Sequence, residues 1–121
     1  MIRHALKQAA KSEFQKTRHG AIVSRGRRIL SRGTNSNRYT SIPIDRKFDN
    51  SVHAEQSAIG DLLSHRRHED LVGATIYVAR IGKAGEQRMS KPCPMCEDLI
   101  RTVGIKKVIY TTMDGTVEWN L

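Results

Sequence analysis

The residues best suited to chemistry in this chain stand in two short segments, 53–55 (His-Ala-Glu) and 92–96 (Pro-Cys-Pro-Met-Cys). Cys93 and Cys96 are three positions apart, so their sulfurs can face the same way on the first turn of a helix. A helix N-terminus lowers the pKa of a thiol, and the thiolate is the form that binds zinc. With His53, the two cysteines supply three ligands to a tetrahedral Zn²⁺ ion, whose fourth position can take water. The spacing therefore predicts a metal site at His53, Cys93 and Cys96.

Glu55 is the predicted catalytic residue. It follows His53 by two positions, where it is placed to reach water at the metal rather than the metal itself. A carboxylate there can take a proton from water and hand it on, which is the acid–base work of a hydrolysis. Either segment alone is unspecific, since a CxxC pair also occurs in redox sites and zinc knuckles. The two segments together favour catalysis, and the chain lacks the third cysteine that a closed structural site would use.

Both segments are predicted to open helices. Apolar residues recur at helical spacing from Ile2 to about residue 16, and a second helix is predicted from near His53 to residue 63. Pro94 suits the first turn of a third helix, and Gly104 suits its end. The metal ligands would then meet where two helices begin.

The remaining segments predict strands and two polar loops. The loops cover residues 33–50 and 81–91, and tight turns are indicated at Gly26 and at Asp114-Gly115. The pattern predicts strands over residues 19–26, 27–33, 74–80, 106–112 and 116–121. This order predicts the α/β class, with one mixed sheet and helices packed against it.

The composition is that of one globular domain over residues 1–121, with 38% hydrophobic residues. No apolar run approaches the roughly 18 residues of a membrane-spanning helix, and the first residues do not have the pattern of a signal peptide. We therefore expect a cytoplasmic protein with no membrane partner. The net charge of +9 favours anionic partners, which include phosphorylated small molecules and nucleic acid.

Four segments resemble the cytidine and deoxycytidylate deaminase superfamily. HAEQSAI and SKPCPMCEDLI resemble its two helix starts, while GAIV and RGTN resemble its first hairpin and the turn that follows. The resemblance extends from the first helix to about Thr112. It implies a three-layer α/β/α cytidine deaminase-like fold with one mixed five-stranded sheet, and zinc between the two helix starts.

The resemblance also implies a role for particular residues. The three predicted ligands would bind zinc, and Glu55 would be the proton shuttle. Asn35 matches the asparagine that holds the nucleobase or sugar in the family. Backbone N–H groups near Ala54 and Cys93 would hold the carbonyl of the base and the water at the metal.

The implied reaction is attack of water on C4 of cytosine, followed by loss of ammonia, in a nucleotide or nucleoside such as dCMP, CMP or cytidine. If the substrate carries a phosphate, we expect Arg38, which closely follows Asn35, and Lys91, which adjoins Pro92, to bind it. The tight turn before the last strand resembles the free-nucleoside cytidine deaminases, whose last two strands are antiparallel. The PCPMC motif is closer to the deoxycytidylate and tRNA branches.

Two other functions fit part of the pattern. Editing of cytosine or adenine in single-stranded DNA, RNA or tRNA would use the positive charge. Aromatic residues, on which such proteins stack bases, are only 5% of the chain, and the candidates are Tyr39, Phe48 and Trp119. A non-catalytic nucleic-acid-binding module with structural zinc has no use for Glu55. We also expect a homo-oligomer, in which the returning strand 116–121 could complete a neighbouring site.

Overall fold

Ten helices and strands follow one another in the computed structural model, which describes residues 1–14, 17–36 and 52–121. The predicted order is confirmed, with one short helix and one two-residue strand added. None of the helices described is long and apolar enough to cross a lipid bilayer. The elements are α1 (Ile2–Ala9), β1 (Arg18–Arg25), β2 (Arg28–Thr34), α2 (Ala54–Ser64), α3 (His68–Leu71), β3 (Thr75–Ile81), β4 (Gln87–Arg88), α4 (Pro94–Thr102), β5 (Lys107–Thr111) and β6 (Thr116–Asn120).

The predicted mixed sheet is confirmed, with strand order β2-β1-β3-β5-β6. β3 and β5 pair in parallel, whereas β1 pairs antiparallel with both β2 and β3. β5 and β6 form the antiparallel pair expected from Asp114-Gly115. The added strand, β4, pairs with the end of β3 within the predicted loop 81–91, so this loop is in part a hairpin. β6 is an edge strand among the strands that the structure describes, and self-association there stays a prediction.

The sheet lies between two helical layers, as the three-layer fold requires. On one face, α2 and α4 cover the larger core, to which Val23, Ile59, Ile76, Ile100 and Val108 contribute fully buried side chains. On the other face, α1 covers a smaller core around Ala5, Ile22 and Ala79. Side chains in a strand alternate between faces, so residues of β1 and β3 that share parity with Val23 and Ile76 face α2 and α4.

The first helix ends at Ala9, well before its predicted end near residue 16. Ser12 turns the chain away, because its N–H donates to the Ala9 carbonyl (3.0 Å) while its hydroxyl donates to Asn35 Oδ1 (2.6 Å). Serine side chains that bond outside the helix compete with its continuation. The prediction of a longer helix was wrong because apolar spacing does not reveal this contact with a residue 23 positions later.

Gly33 is where β2 lets α2 approach, and its replacement by alanine should destabilise the protein. A Cβ atom at Gly33 would lie 2.4 Å from the Ala54 carbonyl oxygen and 2.5 Å from the Ala58 nitrogen, both backbone atoms. We expect Gly33→Ala to lower the free energy of unfolding by about 1–3 kcal/mol and to weaken zinc binding, because the start of α2 must shift. Denaturant unfolding and zinc titration measure the two effects.

The matched control is Gly115→Ala, since a Cβ atom at Gly115 meets nothing within 4 Å. Equal stability and equal zinc affinity of the two alanine variants would show that α2 does not depend on close approach at Gly33.

Candidate active site

The start of α2 positions His53 at the active-site end of the molecule. His53 is the N-cap residue, with extended backbone (φ −76°, ψ 154°), and its N–H donates to Gln56 Oε1 at 2.8 Å. A side chain at the third helical position that bonds back to the N-cap residue fixes where a helix begins. The buried Ala54 and Glu55 follow at once, so the first turn of α2 is held against the core.

The start of α4 is fixed in a different way. Cys93 is its N-cap residue, and Pro94 occupies the first turn, where a missing N–H costs nothing. Ser90 anchors the chain just before it: the Ser90 N–H donates to the Thr111 carbonyl (2.9 Å), and its hydroxyl donates to the Val78 carbonyl (2.8 Å). Because these bonds attach the approach to β5 and β3, they hold the two cysteines in place against the sheet.

The two helix starts bring His53, Cys93 and Cys96 together, as predicted. His53 Nδ1 lies 3.3 Å from Cys96 Sγ and 3.7 Å from Cys93 Sγ. All three potential ligand atoms lie within 4.8 Å of one another, and among the described residues this is the cluster that could hold a metal. One nitrogen and two sulfurs at this separation are a donor set that suits Zn²⁺.

The protons of the two thiols are distributed unequally. Hydrogen bonds from Cys96 and from His53 lower the pKa of the Cys93 thiol to about 4. The same bond to Cys93, together with burial, raises the pKa of the Cys96 thiol. Cys93 is therefore the thiolate of the pair, and a cation that displaces the Cys96 proton would take both sulfurs as ligands, which fits a zinc ion.

Glu55 lies beside this cluster and is buried, with 4% of its surface exposed. Burial raises the pKa of its carboxyl group. Its Oε1 atom has no hydrogen-bond partner among the residues that the structure describes. A buried carboxylate with one oxygen left without a partner costs folding free energy, so an acid kept there is a candidate for proton transfer.

Asn35 holds the chain together at the mouth of the site. Its Oδ1 accepts the His19 N–H (2.9 Å) and the Ser12 hydroxyl (2.6 Å), while Nδ2 donates to the Thr17 carbonyl (2.6 Å). Among the described residues only one of its two amide hydrogens is engaged, and the predicted contact with a nucleobase or sugar stays a prediction. Asn35 also lines a cavity of about 730 Å³ between β2 and α2, which Val52, the residue before His53, lines as well.

The two basic residues predicted to bind phosphate are placed differently. Lys91 is exposed, and its Nζ lies over the Trp119 ring of β6, 5.0 Å from the ring centre. Arg101 lies over the same ring at 5.5 Å, so Trp119 serves as a platform for cations and packs against the core. Arg38 lies outside the described residues, as do Tyr39 and Phe48.

His19, which was not among the predicted site residues, faces this site from β1. It lies two and four positions before Ala21 and Val23, both members of the core under α2, and therefore shares their face of the sheet. Burial, followed by the positive charges of Arg80 and His53, lowers the pKa of His19 to about 4, so its imidazole is neutral. Strand alternation within the predicted hairpin is the signal that could have found it.

Two further basic clusters lie at the opposite end of the sheet. The β1–β2 turn, residues 25–28, follows the end of β1 that pairs with the start of β3, and Arg25 there donates to the Val72 carbonyl (2.6 Å). The basic run 65–68 follows the C-terminus of α2, about 16 Å along the helix from Ala54. Neither cluster is near enough to hold a small substrate at the metal cluster.

This fold, with a His-Cys-Cys cluster and a buried glutamate at two helix starts, defines a zinc-binding deaminase domain. The chain belongs to the cytidine and deoxycytidylate deaminase family, because residues 1–112 match the family described as "Cytidine and deoxycytidylate deaminase zinc-binding region". The His53–Cys93–Cys96 cluster is compatible with the zinc site that this description names.

Similar proteins of known sequence or structure are deaminases of the same kind. A deoxycytidylate deaminase of Mycobacterium phage D29 is 31% identical over 121 aligned positions, which cover 84% of each protein. The dCMP deaminase of cyanophage S-TIM5, solved in complex with dCMP and dUMP, matches at TM-score 0.61 and 22% identity, covering 90% of this chain and 76% of that one. A cytidine deaminase from Mycobacterium leprae matches at TM-score 0.58 and 18% identity, covering 98% and 89%. The two structural matches establish the cytidine deaminase-like fold.

Proposed function

We propose that the protein is a zinc-dependent hydrolase that converts cytosine to uracil in dCMP or a closely related nucleotide or nucleoside, with release of ammonia. The observation that carries this proposal is the His53–Cys93–Cys96 cluster with the buried Glu55 beside it, whose Oε1 atom has no hydrogen-bond partner among the described residues. The phage D29 relative, named as a deoxycytidylate deaminase, supports the nucleotide as substrate.

In this proposal His53, Cys93 and Cys96 hold the zinc ion. Zinc held there supplies Lewis-acid chemistry that lowers the pKa of water toward neutrality. The N–H of Ala54 belongs to the first turn of α2, where backbone donors have no partner within the helix. These donors and the positive end of the helix dipole suit the carbonyl oxygen of the base.

Glu55 carries the protons. As water adds to C4 of cytosine, Glu55 takes a proton from that water and gives it to N3 of the base. It then takes the second proton of the added water from the hydroxyl group now on C4 and delivers it to the amino group, the C4–N bond breaks, and ammonia leaves uracil with its C4 carbonyl behind. The Oε1 atom has no hydrogen-bond partner among the described residues, which supports this role because that oxygen can accept the proton of the water.

We further propose a cytoplasmic homo-oligomer. A nucleotide substrate is charged and does not cross membranes freely, so it is met inside the cell. At the β6 edge of the sheet, Val117 is 39% exposed, and Met113 in the preceding turn is 67% exposed. Exposed apolar side chains beside a free strand edge suit contact with a second copy.

A mononucleotide and a polynucleotide substrate should differ in how binding responds to salt. We expect the zinc-loaded protein to deaminate dCMP, and to bind a cytosine-containing oligonucleotide no better than one without cytosine. The basic clusters at residues 25–28 and 65–68 lie away from the metal cluster, and Trp119 packs against the core, which weighs against a nucleic-acid groove. Ammonia release and oligonucleotide binding against log salt measure the two behaviours, with cytidine and dAMP completing the panel.

Editing of nucleic acid is the second candidate, because the net charge of +9 favours it. Two results together would establish editing instead. The first is tight oligonucleotide binding whose log affinity falls by about 0.7 per phosphate contact for each tenfold rise in salt. The second is deamination of the oligonucleotide and none of dCMP. Full zinc occupancy with no deamination of any cytosine or adenine substrate would contradict the enzymatic proposal altogether.

A further inference from the structure

Arg80 lies at the end of β3 and faces the same side of the sheet as the metal cluster. It shares parity with Ile76 and Val78, whose side chains are fully buried under α2 and α4. In the antiparallel pairing of β1 with β3, Arg80 stands directly opposite His19. Side chains at directly opposite positions have Cβ atoms about 5 Å apart, so Arg80 and His19 are neighbours.

His19 links Arg80 to the metal cluster. The positive charges of Arg80 and His53 both act on the His19 imidazole, and so does Cys93. Arg80 is therefore one side chain removed from the cluster. A cation placed beyond His19 suits a part of the substrate other than the reacting base.

The charge of Arg80 has no partner in the part of the chain that the structure describes. Its Nε atom is buried without a hydrogen bond, and no described carboxylate forms an ion pair with it. A partly buried guanidinium without an anion is costly, and an arriving anion removes that cost.

The neighbouring cations are engaged. Arg88, the other cross-strand neighbour of Arg80, lies 3.6 Å from Glu86 across an ion pair. Arg18 donates to the Gly82 carbonyl at 2.7 Å. The Nε atom of Arg18 is also buried without a hydrogen bond, but Arg18 shares parity with Ile22 and so faces α1 on the other side of the sheet. Lys91 lies over Trp119, so of these four cations Arg80 is the one left for a ligand on the side of the metal cluster.

We propose that Arg80 binds the phosphate of a mononucleotide substrate and makes the enzyme favour nucleotides over nucleosides. The proposal rests on the deaminase function proposed above. Arginine suits a phosphate monoester because its planar group can donate two parallel hydrogen bonds to two oxygens. It replaces Lys91 as the expected phosphate-binding residue among those that the structure describes.

The test compares Arg80→Gln with Arg88→Gln, which removes the same charge from the adjacent, exposed position. We expect Arg80→Gln to lower kcat/KM for dCMP roughly 10- to 100-fold, mainly through KM, as loss of a charge-assisted bond predicts, while deoxycytidine turnover stays unchanged. Arg88→Gln should leave both substrates unchanged, and Arg80→Lys should recover part of the dCMP activity. Calorimetric binding of the product dUMP, compared with deoxyuridine, should show the same selective loss without depending on turnover.

Several results would overturn this inference. Equal losses for dCMP and deoxycytidine in Arg80→Gln would mean that Arg80 only supports the fold, and equal losses in Arg88→Gln would mean that general charge is responsible. A wild-type enzyme that deaminates dCMP and deoxycytidine equally well contradicts the inference and leaves the deaminase proposal intact. If Arg80→Gln does not fold, Arg80→Lys takes its place in the test. Binding of dUMP by Arg80→Lys as tight as that of the wild type would count against the inference, because lysine cannot donate two parallel hydrogen bonds to the phosphate. Failure to deaminate either substrate contradicts the proposed function instead.

Discussion

Glu55→Gln should abolish most turnover while keeping the fold and the zinc. Both proton transfers of the proposed reaction depend on this carboxyl group, and general acid–base catalysis contributes roughly 10²–10⁴-fold. Gln has nearly the same shape but cannot act as a general acid or base, so kcat for dCMP should decrease by a factor within that range. Ammonia release under saturating substrate measures the effect, and elemental analysis confirms the zinc content.

The same substitution should not lower stability. Burial raises the pKa of Glu55 above that of an exposed carboxyl group, so a cost in folding free energy develops as the pH rises above that ordinary value, and this cost is present at neutral pH. A neutral amide removes the cost, and the free energy of unfolding at pH 7 should stay equal or rise. Glu97→Gln is the matched control, because Glu97 lies in the first turn of α4 but pairs with Arg101 at 3.0 Å. Turnover by Glu55→Gln at the level of that control would place the proton carrier elsewhere.

Cys93→Ala should lose the metal. Cys93 is the thiolate of the pair, so its removal takes away a ligand and the hydrogen bond that Cys96 donates. Zinc content should fall from about one ion per chain to about none, and the chelator-sensitive part of the thermal stability should disappear, because metal binding is coupled to folding. Elemental analysis after dialysis and melting with and without EDTA measure both.

Met95→Ala is the control for this loss. Met95 lies on the same turn of α4, between the two cysteines, and its sulfur meets Gln56 Nε2 at 3.9 Å rather than the cluster. It should keep its zinc. A fully zinc-loaded Cys93→Ala protein would remove Cys93 from the ligand set.

The sequence was enough to place the cluster because its information is local. The cysteines are three residues apart and sit at a proline-marked helix start, and His53 opens a second helix by a bond to Gln56. Such short-range patterns specify side-chain direction before any tertiary contact forms. The strands of the sheet were predictable for the same reason, since apolar alternation over a few residues fixes their faces.

What the sequence did not reveal depends on contacts between distant positions. His19 and Arg80 become neighbours through the register of β1 on β3, across 61 residues of chain. Lys91 lies over Trp119 because β6, which carries Trp119, pairs with β5. The turn signal at Asp114-Gly115 predicts this hairpin but not which side chains it brings together. Cross-strand register depends on the whole sheet, so neither neighbour could be assigned from spacing.

The Ser90 anchor has a consequence for protein engineering. The β3–β4 hairpin closes on itself through the Gly82 N–H, which donates to the Glu86 carbonyl at 2.8 Å, and the chain is clamped again at Ser90 before the cysteines begin. We therefore expect changes of length within residues 83–85 to leave the position of Cys93 unchanged. This hairpin tip is a place where a peptide tag or a fused recognition module can be grafted beside the catalytic pocket without disturbing it.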